Sequence, residues 1–165
     1  MIKVLTFIKE GAYSNNKMLE SKLNCLTSAG AGCSLLTTIG GIRIGAYEVP
    51  KMNEASMGDL ISGCTPLGEF NNYKYFRCND EYKPFTLVVI EEDYSIDIEG
   101  IFNYMFNFVP ELGLLTETSR NAFADIIVYF LGDHLYTAYR GYKMVSFQNF
   151  LKEIKNIGGY NFYTP

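Results

Sequence analysis

The stretch Leu35-Leu36-Thr37-Thr38-Ile39-Gly40-Gly41-Ile42-Arg43-Ile44-Gly45-Ala46-Tyr47-Glu48 decides the fold class. Two runs of apolar and β-branched residues flank a glycine pair, and paired glycines supply the positive φ angles that a two-residue hairpin turn demands. The spacing predicts antiparallel strands over 35–39 and 42–48. Upstream, 17–27 places Met18, Leu19, Leu23 and Leu26 on one face at helical spacing, and Ala29-Gly30-Ala31-Gly32 ends that helix. The first ten residues, Met-Ile-Lys-Val-Leu-Thr-Phe-Ile-Lys-Glu, read as a first strand of an intracellular, cytoplasmic protein, since the apolar run is too short for a secretory segment.

Downstream, 70–78 and 85–92 form a second predicted hairpin around Asn79-Asp80-Glu81. The unbroken apolar run Phe85-Thr86-Leu87-Val88-Val89-Ile90 marks a strand covered on both faces. A short helix is expected over 53–62, with Gly58 weakening it. Beyond residue 97 the period changes from strand to helix. Ile98, Ile101, Phe102, Met105, Phe106 and Val109 form one apolar stripe that Pro110 stops. Thr118 or Ser119 is expected to cap a second helix with Phe123, Ile126, Ile127, Phe130 and Leu131 inward. A strand over 135–145 and a helix from Ser146 to Gly158-Gly159 complete the reading. The pattern describes a single α+β domain: a mostly antiparallel sheet of two hairpins plus terminal strands, with three to four amphipathic helices packed on it.

Composition narrows the function classes. The 165 residues include 13 Tyr and 12 Phe but no Trp and one His, so the chain is rich in packing surface and poor in general bases and metal ligands. A net charge of -4 and 14 scattered basic residues disfavour nucleic acid as a partner. No apolar run reaches the roughly 18 to 20 residues that cross a bilayer as a helix. Cys25, Cys33, Cys64 and Cys78 match neither a dense disulfide framework nor paired zinc spacing, and are expected as free, mostly buried thiols.

No segment reaches the specificity of a diagnostic motif. The enzymatic alternative pairs a cysteine nucleophile, Cys33 or Cys25, with His134 as base. That order matches papain-like hydrolases in outline, but the Cys-Gly-x-Cys-Trp surround is absent and Cys33 precedes a predicted strand, not a helix. Neither Gly-rich segment has the Lys-Ser/Thr ending of a phosphate loop, and no cofactor or metal is expected. Two features suit recognition instead. On a strand, Tyr73, Tyr75 and Arg77 share one face, and Tyr and Arg are frequent interface anchors. Glu91, Glu92, Asp93 and Asp97 form the densest run of one charge. Together they favour a noncatalytic module that binds a basic protein, such as an inhibitor, immunity factor or anti-defence factor. A homo-oligomeric structural subunit is the third reading.

Overall fold

In a computed structural model, which describes residues 2–80, 82–91, 98–131 and 160–162, the glycine pair turns the chain where the sequence requires it. Gly40 and Gly41 have φ of +57° and +79°. In chain order the elements are strand β1 (Ile2–Lys9), one helical turn α1 (Glu10–Tyr13), helix α2 (Lys17–Ser28), strands β2 (Gly32–Ile39) and β3 (Ile42–Val49), and helix α3 (Glu54–Ile61). Strands β4 (Cys64–Phe70), β5 (Tyr73–Cys78) and β6 (Phe85–Ile90) follow, then helix α4 (Ile98–Phe108), a 3-10 turn (Pro110–Leu114), helix α5 (Glu117–Leu131) and strand β7 (Tyr160–Phe162). The strands make one sheet in the order β4-β5-β6-β1-β3-β2-β7, every neighbouring pair antiparallel. The α+β reading holds.

The sheet is covered on both sides, so the central strands must be apolar on both faces. Leu5, Phe7, Ile44, Ala46, Tyr75 and Val88 pack on one side against Ile101, Met105, Leu112, Phe123, Ile126 and Ile127 of α4, the 3-10 turn and α5. Val4, Ile8, Val49, Leu87 and Val89 pack on the other against Leu19, Leu26 and Leu60 of α2 and α3. This accounts for the continuous apolar run of β6, all six of whose residues are buried.

Local chemistry sets the helix ends. The Asn16 side chain accepts from Leu19 N at 3.0 Å and so caps α2, while its amide donates to Ala12 O and Lys83 O. At the other end Gly30 N and Ala31 N close back onto Thr27 O and Leu26 O, with Gly30 at φ +85°, a Schellman ending. The α5 cap is Thr116, whose hydroxyl accepts from Ser119 N at 3.3 Å, two residues ahead of the earliest one expected. Lys3 Nζ satisfies the last carbonyls of α5, donating to Phe130 O and Leu131 O at 3.0 and 2.7 Å. A cation there also suits the helix dipole.

Three expectations are corrected. Residues 70–78 are not one strand: Asn71, at φ +52°, turns the chain after β4, so 64–70 and 73–78 are the two arms of a hairpin. Pro66 and Gly68 disguised β4 as a loop; an edge strand tolerates them, and the pairing with β5 shifts register between them. That register also puts Cys64 opposite Cys78, their Cα atoms 4.3 Å apart, and the two form a disulfide instead of the expected free thiols. Cys25 and Cys33 are free. The third correction is the α5 cap. The strand and helix read over 135–159 lie outside the described residues.

Candidate functional site

Tyr73, Tyr75 and Arg77 do share a face of β5, but that face is covered. Tyr73 and Tyr75 are fully buried beneath the α4 layer, with the Tyr75 ring 5.3 Å from Phe108. They are core, not contact surface, because the strand face they occupy is the one on which α4 and the 3-10 turn pack. Arg77 turns inward as well. Its Nη1 donates to the Glu111 carboxylate and, at 2.8 Å, to Thr86 Oγ1; Thr86 Oγ1 in turn donates to Glu111 Oε2 at 2.7 Å. This closed triad ties β5, β6 and the 3-10 turn together, and Glu111 is 1% exposed.

The thiols are poorly suited to nucleophilic attack. Cys25, half-buried on α2, donates to Ser56 O at 3.4 Å, and burial, with the Asp59 charge behind it, raises its pKa. Cys33 lies in β2, donates to Leu35 O, and is likewise pushed up by burial. An activated cysteine needs the opposite shift. His134 lies outside the described residues, as do Glu92, Asp93 and Asp97. Among the described residues no group of three or more His, Cys, Asp and Glu is placed to hold a metal ion, and no helix is long and apolar enough to cross a membrane.

A cleft of about 730 Å³ runs between α2 and α3 and is lined by Lys17, Ser21, Lys22, Cys25, Ser56 and Asp59, among others. Its one buried cation is already engaged. Lys22, 4% exposed, donates from Nζ to Asp59 O and Ser62 O at 3.0 and 2.5 Å, tying α2 to the last turn of α3. Burial is the main cause of its lowered pKa. A smaller cavity of about 100 Å³ opens beside Tyr47, whose ring lies over Gly45 and whose hydroxyl bonds Thr6.

Burial pushes the Tyr47 phenol up to about 12, and the Tyr75 phenol is raised further by the same cause. Both folded groups hold protons that the unfolded chain releases near pH 10, so their contribution to stability is complete below pH 10 and is lost as pH rises toward 12. The lowered Lys3 and Lys22 act in the opposite sense, and their gain is complete once pH passes 10.5. The urea midpoint is expected to fall between pH 10 and 12 and to fall less steeply in Tyr47→Phe. Equal slopes for variant and wild type would remove Tyr47 from the account.

The surface features gather at one end of the sheet. Glu91, exposed, follows the last residue of β6, and its backbone N–H donates to Asn72 O in the β4–β5 turn at 3.1 Å. Exposed Glu69 stands one residue before the end of β4, opposite Lys74, and Lys74 pairs with Glu91 at 3.6 Å. Glu91 is also the first residue of the acidic run 91–97 in the sequence. On the other face of the same end, Phe70 stacks on Tyr104 of α4 with ring centroids 4.3 Å apart and planes inclined by 12°. Tyr104 falls off the apolar stripe of its helix, the signal that could have singled it out. Compared with protein-family models, curated proteins and solved structures, the chain shows no match.

Proposed function

We propose that this protein is a noncatalytic binding module that sequesters a basic protein partner through the acidic end of its sheet, as an inhibitor or immunity factor does with a basic enzyme, and that it acts in the cytoplasm. The observation that carries the reading is the placement of exposed Glu69 and Glu91 at one end of the sheet on either side of a single cation, Lys74, with Glu91 the first residue of the acidic run 91–97 in the sequence. Like charges held together on a rigid sheet end raise the local potential and steer an oppositely charged protein toward it. The aromatic strand face has no part in this, being buried.

The test is a pull-down with the tagged protein from its own cells at low and moderate salt. Raising ionic strength from 0.01 to 0.15 M shortens the screening length from about 30 to about 8 Å. One stoichiometric basic partner is expected, released at the higher salt and captured less by Glu91→Lys. A partner indifferent to salt and to charge reversal would sink the reading, as would retention of further copies of the chain alone, which is the signature of self-assembly.

A further inference from the structure

On the sheet face that α2 covers, a cavity forms around a glycine. Gly45 lies opposite Thr6 of β1 and Leu36 of β2, and a Cβ there would lie 2.7 Å from both Thr6 Oγ1 and the Tyr47 hydroxyl. Only glycine lets the Tyr47 ring fold across β3 to reach Thr6. Ile8 and Arg43 form the next row of the same face, so two rows of the sheet make the floor of the cavity of about 100 Å³ beside Tyr47. Leu19 and Leu23 of α2 and Tyr13 of α1 complete its walls.

The same three residues, Tyr13, Leu19 and Leu23, also wall a second cavity of about 230 Å³, whose other lining residues include exposed Ser14, Asn15 and Glu20. Tyr13 is the movable member of that shared wall. It is 37% exposed on a single helical turn, whereas Leu19 is buried and Leu23 half-buried, and exposed side chains change rotamer within nanoseconds. Its ring rests on Arg43, the guanidinium carbon 3.8 Å from the ring centroid. A dry cavity of about 150 Å³ takes a benzene ring, so the inner cavity is too small for one by itself and the two joined are not.

The chemistry of the lining selects the ligand. Arg43 is the one charged residue among those described around the inner cavity, and Ile8, Leu19, Leu23 and Leu36 make the rest largely apolar. An apolar site with one planar guanidinium suits a compact apolar body that carries a carboxylate, the group a guanidinium pairs with bidentately. We infer that the space under Tyr13 is a binding site for small monocarboxylates with a compact apolar body, the carboxylate on Arg43 and the body between Leu19 and Leu23 in place of the Tyr13 ring. Glu20 at the outer cavity repels the charged end and so favours that orientation. The site lies on β1, β2 and β3, apart from Glu69, Lys74 and Glu91, and stands independently of the acidic-end reading.

Benzoate and its neutral counterpart benzamide, titrated into the full chain and followed by backbone amide NMR shifts, test this. The wild type is expected to bind benzoate with a Kd of about 1 mM, a modest efficiency for a ligand of about nine heavy atoms. The shifts should gather at Thr6, Leu36, Gly45 and residues 19–23. Benzamide should bind roughly fivefold more weakly, because a hydrogen bond to a charged acceptor is the stronger kind. Arg43→Met should bring benzoate down to the level of benzamide and leave benzamide unchanged. Leu23→Phe, which fills the shared wall, should abolish binding of both. Tyr13→Ala should tighten both, since no ring has to be displaced, and a gain of affinity is not a result that a fold defect produces. Benzoate shifts that remain unsaturated at about 20 mM, that gather away from these residues, or that keep their affinity in Arg43→Met overturn the inference.

Discussion

Replacing Glu111 with alanine is expected to lower the unfolding free energy by about 3 kcal/mol, near the lower limit for breaking a buried ion pair from one side. The lower limit applies because the Arg77 side chain is 26% exposed, so water can reach part of the guanidinium that loses its partner. Thr86 fares worse. Its fully buried hydroxyl gives its proton to Glu111 Oε2, and the alanine variant leaves that donor without an acceptor. For a chain of this size about 3 kcal/mol corresponds to a fall in Tm of roughly 6 to 12 °C. The double variant Glu111→Met/Arg77→Met should recover most of the loss, since removing both charges removes the uncompensated one. A single-variant cost under about 1 kcal/mol would mean that the triad is screened as a surface pair is.

The second large effect lies in the Cys64–Cys78 disulfide. It closes the β4–β5 hairpin with a sequence separation of 14. Constraining an unfolded loop of about 15 residues is worth about 3 kcal/mol in the chain-entropy account. Cys64→Ala/Cys78→Ala is therefore expected to lose about 2 to 3 kcal/mol. The loss should be localised. Strand β4 is the edge of the sheet, its ladder is interrupted at Pro66–Gly68, and most of its residues are exposed or half-buried. Hydrogen exchange should accelerate first in β4 amides and leave β1, β3 and β6 protected. Acceleration spread evenly over the sheet would show that the disulfide supports the whole domain and not one edge. The same bond tests the compartment: cytosolic thiols are kept reduced, so alkylation trapping in intact cells that finds this pair fully oxidised would contradict a cytoplasmic placement.

The two corrections with functional weight have one physical origin. Tyr73, Tyr75 and Arg77 were legible as residues on one strand face, because alternation is a property of the strand itself. What covers that face is a property of α4 and the 3-10 turn, which enter the chain more than twenty residues later. Residue type could not arbitrate, since a tyrosine serves equally in a core or at a wet interface. The cysteines repeat the lesson. Their spacing suggested no bridge, and only the β4–β5 register, set by a turn at Asn71 hidden inside an apparently continuous strand, brings Cys64 against Cys78.

The acidic run was visible in the sequence, but the packing of Tyr104 was not. Tyr104 is off-stripe in α4, which marks it as outward; that it stacks on Phe70 depends on the sheet order and on Gly68 admitting Phe108. What the chain determined by itself is everything governed by neighbours in sequence: the Gly40–Gly41 turn, the end of α2 at Gly30, the stripe of α4 and its stop before Pro110, and the two-sided burial of β6. Strand order, the burial of the tyrosines, the Arg77–Thr86–Glu111 triad, the disulfide and the Phe70–Tyr104 stack were decided only in the tertiary structure, because each depends on contacts between residues that local periodicity leaves unrelated.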